Sequence, residues 1–474
     1  MHLEERDIPT ATRHLNPARG LRPSLVFLPL VLSAAILAGC GQDQSPDKKT
    51  ESPPPLASGG AEPQAEAPPK KAEKPEPRSA DGDKSAEVKS GEPQELQSAA
   101  PKEEEHAGTR GLGDDEAPVE AGQPPAAAEG EAWDVVPVLY GTDRARLENP
   151  KRLDYGDERG RRLELGRALV TVPKSHTVPQ IERPWTMRIP LVGVEIGESE
   201  DPKEHFTMKE LTFLTEAEFL AEAGARLAAS SRYKKHALVF VHGFNTTFDF
   251  AIYRTAQIAY DLKFDGVPFA YSWPSGGGIL NYTYDRESSG QAEPFLKDFM
   301  KIVLERSGAE AVSLVAHSMG NQPVLQVLKD LKAAKPDGVV LNQIILAAPD
   351  VDRDNFENIA KEIKGLAKGI TLYAAANDKA LAISRNVNGG VPRAGDVPET
   401  GPLVIEGVDT VDVTRVSTDS LGLNHSGYAE NNDLLQDVRV LIETGVRPPE
   451  KRIATTKVVE GAKGMYWEFE PAPR

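Results

Sequence analysis

Short apolar runs separated by polar stretches of helical length recur along the second half of this chain. The runs 237–241, 268–273, 311–316, 343–348 and 370–376 are rich in aliphatic and aromatic residues, which is typical of buried strands. Strands that alternate with helices in this way form right-handed crossovers and a mostly parallel sheet with helices on both faces. The pattern therefore predicts a fold of the α/β class.

Further segments extend this pattern. The stretches 133–146 and 163–173 read as two strands around a loop, and 408–414 reads as the last strand before a closing helix. Helical spacing predicts helices near 249–262 and 291–305. The sequence thus places one folded domain in residues 131–474.

The run that ends "LVAHSMGNQ" stops abruptly at Ser318, and an apolar helical pattern begins at once after it. Ala316 and Gly320 stand two positions on either side, where a sharp strand-to-helix joint requires small residues. Such a joint pushes the serine oxygen out of the sheet, as in the G-x-S-x-G nucleophile elbow, with Ala316 in place of the first glycine. The alternative is a serine that only caps the following helix.

A nucleophilic serine needs an imidazole to accept its proton and a carboxylate to hold that imidazole in the right tautomer. Asp378 follows the strand 370–376, and His425 lies in the loop after the last predicted strand. The chain order Ser318, Asp378, His425 is that of α/β-hydrolases. Asp350 and Asp352, which follow the preceding strand, are the rival carboxylates.

The stretch "VFVHGFNTT" predicts the oxyanion hole of such a site. A strand ends there at His242 and Gly243, and the turn allows the amide of Phe244 to point into the site beside the amide of Met319. His242 is expected to shape this loop rather than to act as the base.

Several motifs match one known family in order and spacing: "FVHGFNTTFDFAIYRTAQIAYDLKFDGVPFAYSWPS", "YDRESS", "LVAHSMGN", "ILAAPDVDRDNF", "LYAAANDKALAISR" and "VDTVDVT". They resemble bacterial α/β-hydrolases of unknown function, loosely called esterase/lipase superfamily enzymes. The resemblance covers about Val136 to Ile442 and implies an α/β-hydrolase fold. It also implies that Ser318, Asp378 and His425 are the triad.

The N-terminus carries an apolar stretch, "LVFLPLVLSAAILAGCG", after several arginines, which is typical of a secretion signal. Its ending "LAGC" resembles the lipobox of bacterial lipoproteins, which implies cleavage after residue 39 and lipid modification of Cys40, the chain's only cysteine. The alternative is an ordinary signal peptide with a chance cysteine. Gly41 after the cysteine implies the outer membrane, so the expected location is the cell envelope, with the membrane as a partner.

Residues 41–130 are rich in Pro, Ala, Glu, Lys, Gln and Ser and hold 10 Lys and Arg against 20 Asp and Glu. Such a composition cannot bury enough apolar surface to fold, so we expect a disordered tether between a lipid anchor and the domain. Most of the net charge of −17 therefore belongs to the linker. The sequence contains no nucleic-acid motif, CxxC pair or histidine-rich metal signature, and we predict no nucleic-acid partner, metal or cofactor.

The stretch "SWPSGGGILNYTYDRESS" lies where a pocket wall would emerge from the sheet, with Trp273, Tyr282 and Tyr284 as candidate substrate contacts. The alternative is a set of core aromatic residues beside a flexible loop. Asp285 and Arg286 are expected to form a structural ion pair.

Two functions fit these features. One is a serine hydrolase that acts on an ester, thioester or lipid acyl bond, and the other is an inactive envelope lipoprotein that uses the hydrolase fold for binding. A complete triad with an oxyanion loop favours the enzyme. The sequence does not distinguish esterase, lipase, thioesterase and acyltransferase, and it leaves the oligomeric state open.

Overall fold

The computed structural model describes residues 131–149, 152–189, 194–276, 281–376, 378–415 and 432–470. The predicted signal peptide with Cys40, the predicted linker 41–130 and the candidate base His425 lie outside these described residues.

A mixed sheet of eleven strands forms the centre of the described residues, in the order β12-β13-β11-β10-β9-β8-β6-β7-β1-β2-β5. All neighbours from β13 to β1 are parallel, whereas β12, β2 and β5 pair antiparallel at the two edges. The separate pair β3 and β4 forms a small hairpin. The strands are β1 (Trp133–Arg146), β2 (Tyr155–Pro173), β3 (Thr186–Ile189), β4 (Val194–Gly197), β5 (Thr207–Leu214), β6 (His236–Val241), β7 (Val267–Ser272), β8 (Ala311–His317), β9 (Leu341–Ala347), β10 (Ala367–Ala374), β11 (Val408–Asp412), β12 (Thr456–Gly461) and β13 (Gly464–Phe469).

Helices cover both faces of this sheet. Side chains of α1, α4, α5 and α6 pack on one face with Val239 and Val241 of β6, while α2 and α8 pack on the other face with Leu238 and Phe240. This alternation along one strand is what a doubly covered sheet requires. The predicted α/β class is confirmed. The helices are α1 (Glu216–Ala229), α2 (Phe248–Asp261), α3 (Tyr282–Gln291), α4 (Glu293–Lys301), α5 (Asn321–Ala334), α6 (Arg353–Glu362), α7 (Lys379–Val387) and α8 (Asn432–Thr444).

One sequence prediction about the elements was wrong, and one helix was missed. The strand near residues 408–414 is not the last one, because β12 and β13 follow α8 and extend the sheet beyond β11. No helix was predicted in the stretch after Trp273, where α3 begins at Tyr282.

The parallel register sets where a site can form. The carboxyl ends of β6, β8, β9, β10 and β11 lie side by side, and the loops that leave them carry most of the candidate residues. No helix among the described residues is long and apolar enough to cross a membrane.

Candidate active site

Ser318 occupies the sharp joint that its sequence context predicts. It follows directly on β8, lies in a short 3₁₀ turn that runs into α5, and has a backbone φ of +48°. A non-glycine residue in this left-handed region is strained, and such strain is found where the surrounding structure enforces it. Ser318 is 4% exposed. The feature is the strand–turn–helix geometry of a nucleophile elbow.

Two glycines allow this joint to form. A Cβ on Gly320 would clash with the carbonyl oxygen of His242, and a Cβ on Gly243 would lie 2.8 Å from the Cβ of Ser318. The loop after β6 therefore presses directly against the elbow. The register explains this contact, because Val241 at the end of β6 pairs with Ala316 near the end of β8.

The backbone around Ser318 is also held from the opposite side. The buried side chain of Asn321 donates to the carbonyl oxygens of Ser318 (2.9 Å), Ala316 (3.3 Å) and Ala347 (3.4 Å). The amide of Asp350 donates to the Ser318 carbonyl oxygen at 3.1 Å. These bonds connect the elbow to the end of β9 and fix its backbone.

The predicted oxyanion donors lie on the two segments that meet here. Phe244 follows Gly243 in the loop after β6, and Met319 follows Ser318 in the elbow. Among the described residues, neither amide donates a loop, cap or side-chain hydrogen bond. Their role as oxyanion donors stays a prediction.

His242 supports this loop from below. Its ring is fully buried and stacks on Trp273 with 4.8 Å between ring centres, and the indole nitrogen of Trp273 donates to the His242 carbonyl oxygen at 2.8 Å. Its Nδ1 lies 2.8 Å from the carbonyl oxygen of Gly243. Burial, reinforced by the charge of Arg144, holds the pKa of His242 well below its usual value. A neutral, enclosed imidazole fits the predicted role of shaping the loop.

Asp378 lies four residues beyond the end of β10, at the carboxyl edge of the sheet. It is buried, and its carboxylate accepts from the amide of Leu381 at 3.0 Å at the start of α7. β10 is the second strand beyond β8 in the sheet. Asp378 therefore follows the strand after which the sequence predicted the acid.

The rival carboxylates are both committed to other structural contacts. The buried carboxylate of Asp350 pairs with Arg393 at 2.8 Å and accepts from the hydroxyls of Tyr282 (2.9 Å) and Ser384. Asp352 is the N-cap of α6 and accepts from the amide of Asn355 at 2.9 Å.

His425 belongs to the segment 416–431 between β11 and α8, outside the described residues. Both ends of that segment are fixed. On the β11 side, the amide of Val413 donates to the carbonyl oxygen of Ala374 at 2.8 Å. On the α8 side, the fully buried Asp437 accepts from Tyr373 (2.5 Å) and from Arg452 (2.6 and 3.0 Å).

The three aromatic candidates have different environments. Trp273 is completely buried against His242, so it supports the oxyanion loop. Tyr282 packs edge-on against Phe244, 5.4 Å between ring centres, and is buried beside the Asp350 pair. Tyr284 is 37% exposed and lies under the guanidinium of Arg159. Of these three, Tyr282 is the residue whose ring packs against Phe244, and Trp273 packs against His242.

The expected ion pair between Asp285 and Arg286 does not form. Asp285 instead accepts from the amides of Asn245 (3.1 Å) and Gly276 (2.7 Å), while Arg286 donates to the side chain of Asn388 at 2.9 Å. The two neighbours point in different directions because they lie on different sides of α3. Asp285 therefore joins the loops after β6 and β7.

One possible metal-ligand group occurs among the described residues: Glu198, Glu204 and His205. The amide of Asp201 donates to Nδ1 of His205 at 3.1 Å, which places the proton of a neutral ring on Nε2, the nitrogen facing Glu198 at 3.5 Å. This tautomer suits a hydrogen bond to Glu198 rather than a metal bond.

Residues 218–443 match a family described as "Alpha/beta hydrolase of unknown function (DUF900)". The match covers 226 of the 474 residues, and with the sheet topology it identifies this part of the chain as an α/β-hydrolase domain. The matched span includes the elbow, the oxyanion loop and all three predicted triad positions, whereas β1, β2 and β12–β13 lie outside it. This match to an α/β-hydrolase family agrees with the resemblance seen in the sequence.

Individual relatives are more distant. An uncharacterized protein of Nostoc sp. is 31% identical over 75 residues, which span 16% of this chain and 20% of that protein. Among solved structures, a predicted CIB-like hydrolase from Thermoplasma acidophilum is 17% identical, with 45% of this chain and 89% of that one covered and a TM-score of 0.27. A putative cell surface hydrolase from Lactobacillus plantarum is 13% identical, with 50% and 99% covered and a TM-score of 0.29.

Proposed function

We propose that this α/β-hydrolase is a serine hydrolase that cleaves an ester, thioester or lipid acyl bond through an acyl-enzyme. The observation that carries the proposal is the strained backbone of Ser318 at the strand-to-helix joint, with the glycine loop of Gly243 packed against it. A serine that only capped α5 would not need φ of +48°, since N-cap residues usually adopt extended backbone angles.

In the proposed reaction the Ser318 hydroxyl attacks the acyl carbon and its proton passes to His425. The amides of Phe244 and Met319 stabilise the negative charge on the carbonyl oxygen. Collapse of this intermediate breaks the bond to the alcohol or thiol, which leaves with the proton from His425. A water molecule then attacks the acyl-enzyme in the same way and releases the acid. Asp378 orients His425 and stabilises its charged form.

The substrate class follows from the chemistry of this pathway. A serine, a histidine, a carboxylate and two backbone amides are the groups that acyl transfer requires, and the aromatic ring of Tyr282 beside Phe244 offers an apolar wall. Trp273, beside His242, and Tyr284, under Arg159, are the other proposed pocket contacts. We expect an acyl ester or lipid-like small molecule to be the substrate, with no cofactor.

A fluorophosphonate probe, which reacts with activated serines, tests the proposal on the intact chain. Wild-type protein should be labelled at Ser318, and S318A should not be labelled. H425A should lose most of the labelling because the hydroxyl is no longer deprotonated. S175A is the matched control. Ser175 lies two residues after the end of β2, beside the start of β1, and so at the end of the strands away from the elbow.

The labelled protein should then hydrolyse short-chain aryl esters, and a series of acyl lengths would define the preferred substrate. If folded wild-type protein neither reacts with the probe nor hydrolyses any of these esters, the hydrolase proposal is wrong. The alternative of an inactive binding lipoprotein would then be favoured.

We also propose that acylation of Cys40 anchors the protein to the cell envelope, in the outer membrane of a cell that has two membranes. The support is the lipobox-like "LAGC" followed by the Pro- and Glu-rich stretch 41–130. Several acyl chains are needed for stable anchoring, since one chain binds only marginally. C40A should move from the membrane to the soluble fraction. Retention of C40A on membranes after a high-salt wash would contradict the anchor.

The proposed tether, residues 41–130, has its own test. A chain that begins at Glu131 should keep the melting temperature and turnover of the longer protein, because the composition of 41–130 does not support a packed core. A loss of more than a few degrees would show that the segment packs on the domain.

A further inference from the structure

A buried arginine lies directly behind the oxyanion loop. Arg144, near the carboxyl end of β1, is 2% exposed, and no carboxylate of the described residues lies within ion-pair distance of its guanidinium. Burial lowers its pKa to about 10. An unpaired buried charge is costly, so hydrogen bonds must satisfy it.

The guanidinium of Arg144 donates hydrogen bonds to two loops of the site. It donates to the carbonyl oxygen of Thr246 (2.7 Å) in the loop after β6, and to the hydroxyl of Ser272 (2.9 Å) and the carbonyl oxygen of Ser275 (3.2 Å) in the segment that ends β7. A further bond reaches the carbonyl oxygen of Gly156 at 2.9 Å. Arg144 therefore binds the carbonyl groups of both loops.

Asp285 binds the amide groups of the same two loops. Its carboxylate accepts from the amide of Asn245 after β6, and from the amide of Gly276 and the hydroxyl of Ser275 after β7. Asn245 has a φ of +58°, so the loop between the two charges is tightly bent. Arg144 and Asp285 together hold these two loops in place.

Arg144 also contacts the ring of His242, with 3.4 Å between its Nη2 and Nε2 of the histidine. The hydroxyl of Ser272 lies 3.3 Å from the same nitrogen. The carbonyl oxygen of Trp273 lies 3.1 Å from Nε2 as well, so each ring nitrogen faces a carbonyl oxygen. A neutral ring has a single N–H, and the positive charge of Arg144 with the Ser272 hydroxyl at Nε2 favours the tautomer with the proton on Nδ1, which donates to the carbonyl oxygen of Gly243 at 2.8 Å.

The bond from Nδ1 of His242 to the Gly243 carbonyl oxygen determines which way the Phe244 amide points. The carbonyl group of Gly243 and the amide of Phe244 belong to one planar trans peptide unit and point in opposite directions. With the carbonyl oxygen held on the His242 side, the Phe244 amide must face away from His242. A flip of this peptide would remove the donor from the oxyanion hole.

We propose that Arg144 is a positioning residue that holds the Gly243–Phe244 peptide in the orientation needed for catalysis, acting through Thr246 and His242. The inference rests on the proposed hydrolase function. It assigns a role to a residue of β1, outside the span that matches the family.

Arg226 offers a matched control for the test. It is also a largely buried arginine that donates to backbone carbonyl groups, those of Pro137 (2.9 Å) and Gly266 (3.4 Å), and burial lowers its pKa to about 10 as well. Pro137 and Gly266 lie near the starts of β1 and β7, so Arg226 contacts these strands at the ends away from Arg144.

The first measurement is kinetic. R144M should lower kcat for an aryl ester and the rate of fluorophosphonate labelling by about 100-fold, the effect of losing one oxyanion donor, with little change in KM. R144K should lie between R144M and wild type because it keeps the charge but not the planar fork. R226M should keep the wild-type kcat. If folded R144M or R144K has the same kcat as R226M, the proposal is overturned.

The second measurement does not need activity. In protein with ¹⁵N-labelled histidine, the resonances of His242, assigned by comparison with H242N, should show a neutral ring protonated on Nδ1. They should change in R144K or R144M and stay in place in R226M. A proton on Nε2 in the wild type, or unchanged resonances in the Arg144 variants, would overturn the proposal. If the wild type fails to react with the probe, the hydrolase function is wrong, and the resonances alone decide the role of Arg144.

Discussion

The backbone amide of Asp350 donates to the carbonyl oxygen of Ser318, while the carboxylate of the same aspartate pairs with Arg393 on the far side. Asp350 thus contributes its main chain to the elbow and its side chain to a buried ion pair. This division separates it from Asp378, whose carboxylate lies at the end of the next strand, β10.

Exchanging each carboxylate for an amide should therefore give different defects. D378N should lower kcat by roughly 10³-fold or more with stability largely kept, because the imidazole loses its orienting partner. D350N should mainly lose stability, by about 3 kcal/mol, because Arg393 is left as a buried unpaired charge. Urea unfolding and aryl-ester kinetics on both variants test this.

The kinetic loss in D378N should also be non-additive with H425A, since the two act as one unit. An activity loss in D350N that is non-additive with H425A, alongside a fully active D378N, would assign the acid to the loop after β9.

Replacing two glycines by alanine should distinguish the close packing at the elbow from the general effect of alanine on helix stability. G320A should destabilise the protein and reduce activity, because its new methyl group would clash with the carbonyl oxygen of His242. G224A is the control: Gly224 lies in α1, and an added methyl group there would meet no atom within 4 Å, so alanine should stabilise by about 1 kcal/mol. Thermal melts and labelling rates of the two variants give the comparison. Equal stability changes in both would contradict the close packing of the elbow.

His176 should make stability depend on pH in the alkaline range. Its buried ring bonds to Asp261 and Glu182, both at 2.9 Å; although burial opposes the charge, these carboxylates raise its pKa to about 9. The folded state therefore holds the proton more tightly than the unfolded state, whose pKa is about 6.5. The stabilisation is complete below about pH 6.5 and is lost as pH rises through 9. H176N should flatten this loss in urea unfolding between pH 6 and pH 10.

His236 provides the control for that experiment. Burial lowers its pKa to about 4, so its contribution is lost only as pH falls below about 6.5. H236N should leave the alkaline slope unchanged. An H176N protein with the wild-type alkaline slope would show that His176 is not charged in the folded state.

Asp143 should have the opposite effect to most carboxylates. Burial raises its pKa to about 7, although Tyr271 donates to it at 2.9 Å. Because the folded state favours the protonated acid, its contribution falls as pH rises from about 4 to 7 and is constant above that range. D143N should therefore gain stability relative to wild type as pH increases from 4 to 7, measured by urea unfolding.

Asp265 should show the opposite dependence of stability on pH. Burial opposes its charge, but the amides of Tyr233, Arg232 and Ser231 lower its pKa to about 2. D265N should be less stable than wild type at pH 7, and this difference should shrink as pH falls through 4 towards 2. Parallel slopes for D143N and D265N would contradict the assigned protonation of Asp143.

Patterns of apolar residues were sufficient to predict the central strands, because β6 and β8 are buried on both faces and read as continuous apolar runs. They could not reveal α3, whose sequence "YTYDRESSGQ" lacks an apolar face. β12 and β13 were missed because they form an antiparallel edge hairpin with many exposed residues, beyond the last strand–helix unit.

The elbow could be predicted because it follows a buried strand directly, whereas the assignment of Asp378 as the acid stays a prediction. Arg144 could not be predicted, because an arginine in "GTDRAR" looks like an ordinary surface residue until the fold encloses it. Asp285 was misread for a related reason. Adjacent opposite charges suggest an ion pair, but the side chain faces backbone amides that only the tertiary structure brings near.

The anchored ends of the segment 416–431 have a consequence for how such enzymes diversify. Val413 is bonded to β10, and Asp437 of α8 is bonded to Tyr373 and Arg452, through contacts that involve no residue of that segment. Sequences of other lengths could therefore be exchanged between these two attachment points without dismantling the sheet. The length of this connection can thus vary among related proteins while the strand and helix on either side of it keep their contacts.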